Sequence, residues 1–229
     1  MRKIDPDEYY KNYYECVLRS GIVGWVAEFG HRRIEKAFNS APKVNQVLEL
    51  GCGQGQHLKF VKQPVEEYIE SDLRLENIPV RDIASKNVNI EKVVRTQLDS
   101  EILSPIKSES IDRVIATCLL AHLPNPESAL IEWRRVTKQG GSISIWVASE
   151  PGLLLRVLRQ LTTVRKARRR GLNHLSFLYR EHRNHYPYLQ VLIRDVFESD
   201  HISVRSFPAS YMSWNLSLWK IITITKKND

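Results

Sequence analysis

The sequence predicts an α/β protein: a doubly wound, seven-stranded sheet with N-terminal helices and a helical insertion between strands five and six. Three observations carry this. Between residues 44 and 150, short apolar runs bounded by Gly, Pro, Asn or Asp alternate with segments of helical period. The first of those runs leads directly into Gly51-Cys52-Gly53-Gln54-Gly55. After Pro151-Gly152 the alternation lapses into helix-period sequence before two final apolar runs appear.

Taken in order, residues 7–39 read as two helices. Tyr9, Tyr10, Tyr13, Tyr14, Val17 and Leu18 form one stripe, Ser20-Gly21 a break, and Ile22, Val23, Val26, Phe29, Ile34 and Phe38 a second stripe. Strands are predicted at 44–50, 65–71, 91–96, 111–117 and 142–147. Helices are predicted at 57–63, 73–85 and 126–137, the last with Leu130, Ile131, Trp133 and Val136 inward and closed by Gly140-Gly141. The insertion reads as helices at 153–170 and 177–197, and closing strands follow at 201–207 and 216–225. Strands alternating with helices at this spacing favour parallel pairing.

Composition narrows the classes. Apolar residues make up 42% and charged residues 26% of 229, an ordinary globular balance in a chain long enough to bury a core without staples. Cys16, Cys52 and Cys118 are too few and too scattered for a disulfide framework or a four-ligand zinc site. No run approaches the roughly 18 apolar residues of a membrane helix, and MRKIDPDEYY lacks a signal-peptide core. The expectation is a soluble, cytoplasmic protein with no metal. The formal net charge is +8. Residues 1–150 hold 20 Lys+Arg against 21 Asp+Glu, and residues 151–229 hold 14 against 5. The whole excess lies in the last third, which argues against uniform coating of nucleic acid.

A strand running into Gly51-x-Gly53-x-Gly55 and then a helix allows a sharp turn and close backbone approach to a ligand, with free N–H groups at hand. In a parallel sheet such a turn lies at the carboxyl edge, where ligands bind. Asp72 ends the next strand, where a carboxylate can accept hydrogen bonds from both hydroxyls of a ribose. Glu70, two residues earlier on the same strand face, is a rival for that role.

In order, Val47-Leu48-Glu49-Leu50-Gly51-Cys52-Gly53-Gln54-Gly55, Tyr68-Ile69-Glu70-Ser71-Asp72-Leu73, Leu98-Asp99-Ser100, Ile111-Asp112-Arg113-Val114-Ile115-Ala116 with Leu119-Leu120-Ala121-His122-Leu123, and the segment 129–136 with Gly140-Gly141 resemble class I S-adenosylmethionine-dependent methyltransferases. The match spans residues 44–150, about half the chain. The resemblance implies a Rossmann-like fold and S-adenosyl-L-methionine as cofactor. Its backbone would approach at Gly51, Gly53 and Gly55, with Cys52 a small packed side chain in that turn. It further implies that Glu49 supports the loop, that Asp72 and the adjacent Leu73 meet the ribose, that Asp99 and Ser100 lie at the adenine, and that Cys118 and Leu119 lie near the transferable methyl. On this reading the single domain divides into an N-terminal helical lid (1–42), a cofactor-binding core (43–150), a helical acceptor-binding cap (151–200) and closing strands (201–229).

Methyl transfer from a sulfonium is an in-line displacement with an excellent leaving group, so the protein chiefly positions the nucleophile. An alcohol acceptor gains from a general base, and a carboxylate or phosphate needs none. The candidate bases are His122 after strand four, His182 and His185 three apart on one expected helical face, and His31 in the N-terminal helices. In the cap, Leu153, Leu154, Val157, Leu158, Leu161 and Val164 form an apolar stripe beside Arg156, Arg159, Arg165, Lys166, Arg168, Arg169 and Arg170. The plain reading is a helix packing its stripe on the core. The sharper readings are docking on an anionic membrane at its inner face, or a clamp for an anionic acceptor. The insertion and Trp214-Asn215-Leu216-Ser217-Leu218-Trp219 resemble small methyltransferases of bacterial surface-polysaccharide biosynthesis. That implies O-methylation of a small molecule or a glycan or lipid-linked intermediate. The alternatives are an RNA methyltransferase and a non-catalytic partner that retains the fold. Nucleic acid is disfavoured, since after strand four the chain reads Thr117-Cys118-Leu119-Leu120 in place of an Asn/Asp-Pro-Pro-aromatic tetrapeptide.

Overall fold

The computed structural model describes residues 20–74, 76 and 87–228. Strands β1 (Val44–Leu50), β2 (Val65–Asp72), β3 (Ile90–Gln97), β4 (Ile111–Thr117), β5 (Thr137–Ala148), β6 (His201–Phe207) and β7 (Trp219–Thr225) form one sheet in the order β3-β2-β1-β4-β5-β7-β6. β1 to β5 pair in parallel, and β7 inserts antiparallel between β5 and β6. This is the expected seven-stranded Rossmann-like sheet, closed by one reversed strand. β1 lies between β2 and β4, so the order reverses there, and the loops after β1 and β4 open a crevice at the carboxyl edge.

The central strands read as continuous apolar runs because both faces are covered. On one face Leu48, Leu50, Val114, Ala116, Ile143 and Ile145 pack with Leu130 and Trp133 of α2 (Pro126–Val136) and with Leu189 and Ile193 from the segment after residue 185. Trp133 is fully buried and its indole N–H donates to the Ser100 carbonyl at 2.9 Å. On the other face, α1 (Gly21–Glu35) packs Ile34 against Trp146, Trp219 and Ile221 of β5 and β7. Gly30 is required there, since a Cβ would come within 2.7 Å of the Trp146 ring.

Several sequence expectations shift. The first N-terminal stripe, with Tyr9 to Leu18, lies outside the described residues, as does most of the helix expected at 73–85. In α1 the buried face is Gly24, Gly30, His31, Ile34 and Glu35, and Ile22 is exposed. Residues 57–63 hold only a 3-10 turn, Leu58–Phe60. Ile131 faces solvent, because the buried stripe of α2 runs through Pro126, Ala129, Leu130, Trp133 and Val136 and leaves it off-phase. Gly140-Gly141 does not precede β5 but lies within it, in a bulge between the pairings Ile111↔Thr137 and Arg113↔Ser142.

The cap departs furthest. The helix expected over 153–170 is α3 (Leu153–Arg159), a π turn at Gln160–Val164 and α4 (Arg165–Arg168). The expected packing of its stripe is overturned: Leu153 (47%), Val157 (47%), Leu158 (36%) and Leu161 (53%) are exposed, and only Val164 is buried. The helix expected over 177–197 is two, α5 (His174–Glu181) and α6 (Tyr186–Val196). Pro187 explains the break, since it lacks an N–H and its ring would collide with the carbonyl four residues back. No described helix is long and apolar enough to cross a membrane.

Candidate active site

Three backbone turns meet at the carboxyl edge of β1, β2 and β4. Gly51, Gly53 and Gly55 all adopt left-handed φ, +62°, +51° and +61°, a region costly for other residues. A Cβ at Gly51 would strike Leu119 at 2.7 Å, whereas one at Gly53 would meet nothing within 4 Å. The turn is therefore pressed on the β4 loop at one glycine and open at the next. It is tied to β2 by the Cys52 N–H, which donates to the Ser71 carbonyl at 2.9 Å. Cys52 itself is buried.

Asp72 stands at the end of β2, where its Oδ2 accepts from the Gly53 N–H at 3.0 Å and its Oδ1 from the Arg74 N–H at 3.1 Å. Its rival is placed differently: Glu70 is fully buried and its Oε2 accepts from Arg95 Nε at 3.1 Å. Glu49 is buried below the turn, with Oε2 accepting from the Tyr68 hydroxyl at 2.8 Å. Asp99 follows β3, close to Asp72 in space, since the Leu98 N–H donates to the Asp72 carbonyl at 3.1 Å. Its Oδ1 accepts from the Glu101 N–H at 2.9 Å. Ser100 is buried, and Leu73 is exposed. After β4, Cys118 is exposed with φ +57°, and its N–H donates to the Trp146 carbonyl at 2.8 Å.

The histidines separate. His31 is buried; its Nδ1 lies 3.0 Å from His57 Nδ1, and its ring stacks on Phe60 and meets Trp146 edge-on. This is a packed interior position of α1. Beside it lies a polar cluster that sequence reasoning missed. Glu35 bridges Arg113, which donates from Nη2 at 2.7 Å and Nη1 at 3.2 Å, and His57 Nε2 at 2.9 Å. Arg113 also caps the Phe38 ring at 3.5 Å. Although burial alone would raise it, the Arg113 charge and the His57 contact hold the Glu35 carboxyl well below the usual range.

His182 and His185 do not share a helical face. His182 caps the end of α5 and His185 precedes α6. The backbone between them is stitched to the β4 loop, with the N–H groups of Arg183 and Asn184 both donating to the Ala121 carbonyl. His182 Nδ1 lies 2.8 Å from Glu150 Oε2, while Arg159 Nη1 holds the other oxygen, Oε1. His122 meets His182 edge-on, ring centroids 4.6 Å apart. Arg159 thus turns inward toward Glu150 and the neighbouring Cys118 and is not part of the outward basic face.

Burial, then the adjacent Arg159, pushes His182 down to about 3; burial and then His182 push His122 to about 3; burial and then Arg159 push His174 to about 4. The result is a neutral imidazole beside the loop after β4. Glu150 meets Arg159 through one oxygen and His182 through the other. Glu150 was not singled out in the sequence, where the one available signal was a lone acid at the end of strand five, and Arg159 was read there only as part of the cap's basic face. Among the described residues, no group of three or more His, Cys, Asp and Glu is placed to hold a metal ion.

A glycine turn with left-handed φ, a strand-end carboxylate bonded to it and the sheet order with one reversed strand give the arrangement of class I S-adenosylmethionine-dependent methyltransferases, to which the chain is similar. Residues 48–145 match the family model described as Methyltransferase domain, and S-adenosylmethionine is the cofactor of this class. Solved structures agree in fold. A chain from the complex of the Haloferax volcanii Trm112 methyltransferase activator with a methyltransferase is 13% identical, with 97% of each chain covered and a TM-score of 0.62. A SAM-dependent methyltransferase from Archaeoglobus fulgidus is 15% identical over 95% of this chain and 100% of that one, TM-score 0.60. One from Thermotoga maritima is 18% identical over 96% and 95%, TM-score 0.58. No curated protein matches this chain in sequence at a significant level.

Proposed function

We propose that this domain transfers a methyl group to an oxygen of a small molecule or of a glycan or lipid-linked intermediate, with His182 as general base. The observation that carries the reading is the position of the His182 ring, with Nδ1 2.8 Å from Glu150 Oε2 and the ring against His122 of the loop that follows β4. An imidazole donating from Nδ1 to a carboxylate keeps a lone pair on Nε2, the arrangement that accepts a proton from a hydroxyl. His122 bounds one side of that ring and is a positioning residue. His185 stays a secondary candidate; its buried Nδ1 has no hydrogen-bond partner.

The residues at the sheet edge fit the cofactor of the class. The open side of Gly53, the Asp72 carboxylate bonded to its N–H, Asp99 and the Cys118–Leu119 turn would hold the cofactor. When bound there, S-adenosylmethionine supplies a methyl group already activated on sulfur. Residues 151–200 would then flank the site as a cap; most of the expected lid, residues 1–19, lies outside the described residues. The cap also supports peripheral docking on an anionic membrane, because the exposed Leu153, Val157, Leu158 and Leu161 lie beside the exposed Arg156, Arg165, Arg168, Arg169 and Arg170. A surface-polysaccharide intermediate carried on lipid would suit that placement.

Calorimetry with S-adenosylhomocysteine tests the base of this reading. Wild type is expected to bind, and Asp72→Ala to lose about 10-fold or more in affinity. Absence of binding by the wild type would remove the enzyme reading altogether.

A further inference from the structure

We infer that a second pocket, built around Lys220 between α6 and strands β6 and β7, binds a small organic anion: a carboxylate or phosphate monoester on a ring or short apolar body. The inference does not depend on the acceptor reading above. A cavity of about 350 Å³ opens there, lined by Lys220, Arg194, Ser206, Tyr186, Tyr211 and Trp214 among others, and no Asp or Glu lines it.

Lys220 lies within the four-residue fully buried stretch that opens β7 and is itself only 5% exposed. Its Nζ donates to Ser206 Oγ at 2.5 Å and to the Met212 carbonyl at 2.7 Å. An ammonium carries three donors, and a buried charge is costly unless an opposite charge meets it. The other two buried cations among the described residues follow that rule: Arg113 has Glu35 and Lys226 has Glu109. Lys220 has two neutral oxygens and no carboxylate, and burial pushes its ammonium down from the ordinary lysine value.

A ligand anion would supply the missing charge. Arg194, which lines the cavity from α6, adds a second cation with a planar fork suited to carboxylate or phosphate. The Tyr186 ring, 5.6 Å from Lys220 Nζ, and the neighbouring Trp214 and Tyr211 offer faces for the apolar body. In the sheet, β7 is two strands from β4, about 10 Å across, and none of the cavity's lining residues belongs to the glycine turn or the Cys118 loop. The pocket is thus separate from the methyl-donor cradle.

Calorimetry at pH 7 with phenyl phosphate, benzoate and neutral benzyl alcohol tests the pocket. The expected result is binding of at least one anion with a Kd of about 1 mM or tighter and none of the alcohol; the stronger anion identifies the head group. Lys220→Met should weaken that binding by about 10-fold or more and Arg194→Gln by a smaller factor, with S-adenosylhomocysteine affinity unchanged in both. Arg194 is exposed, so its variant serves if Lys220→Met does not fold. Failure of both anions to bind wild type, or equal binding by wild type and Arg194→Gln, overturns the proposal.

Discussion

Two clusters in this molecule use the same three residue types in different surroundings. In each, one glutamate bridges an arginine and a histidine: Glu35 with Arg113 and His57, and Glu150 with Arg159 and His182. The first is sealed between α1 and the sheet, its side chains at most 1% exposed. The second sits under the cap beside Cys118, with Arg159 at 18% and His182 at 16%. Chemistry alone does not separate a fold-locking ion network from a candidate catalytic one. Access does, together with what lies next to it: Phe38 covers Arg113, and the loop after β4 flanks His182.

The contrast can be broken most forcefully at Glu35. Glu35→Gln leaves Arg113 buried without its counter-charge and should cost about 3–5 kcal/mol of stability, read by urea unfolding. A loss below about 1 kcal/mol would mean the sealed cluster does not lock the fold.

At the open cluster the loss should appear in rate. His182→Ala is expected to lower kcat by about 10²-fold or more, with a melting temperature close to wild type. An unchanged kcat would move the base elsewhere or show that none is needed. Glu150→Gln should give a milder kcat loss, since the ring is misoriented while its lone pair remains.

Acid separates the clusters by titration. The folded values of His122, His182 and His174 lie below the ordinary histidine value, so the unfolded chain binds more protons between about pH 6.5 and the folded values. Their contribution is fully present above about pH 6.5 and is lost as pH falls toward 3 to 4. Each costs up to about 2 kcal/mol by pH 5. Glu35, with its lowered carboxyl, contributes above the ordinary carboxylate value, and its loss comes only at more acidic pH. Thermal melts at pH 7, 6 and 5 should show the first loss, reduced when His122 and His174 are replaced by Gln.

The smallest expected effect lies on the cap's outer face, where each arginine contributes about 1 kcal/mol at an anionic surface. Replacing Arg168, Arg169 and Arg170 by Ala should reduce flotation with anionic liposomes and leave neutral ones unaffected. Equal recovery of both proteins would reject membrane docking.

Local sequence went furthest where an element's neighbours follow from its own pattern. The strands at 44–50, 111–117 and 201–207 begin and end where the apolar runs do, and Asp72 ends β2 as expected, although its bond to the Gly53 N–H was not foreseen. It went least far in the cap, where a helical stripe does not say whether a core exists to receive it. The exposed Leu153 and Val157 and the inward Arg159 follow from how α3 lies beside the 214–216 turn, with the Leu153 N–H donating to Asn215 and Arg159 reaching Glu150.

By itself, then, the sequence determined the class: strand and helix periods, a glycine turn that only φ-permissive residues can make, and an acid one strand away. Tertiary structure alone decided which charges are sealed, which are partly open and which lack a counter-charge. Glu35 meets Arg113 across 78 residues, Glu150 meets His182 across 32, and Lys220 meets no carboxylate at all. Burial and ion pairing are properties of distances between distant segments, and no local pattern encodes them.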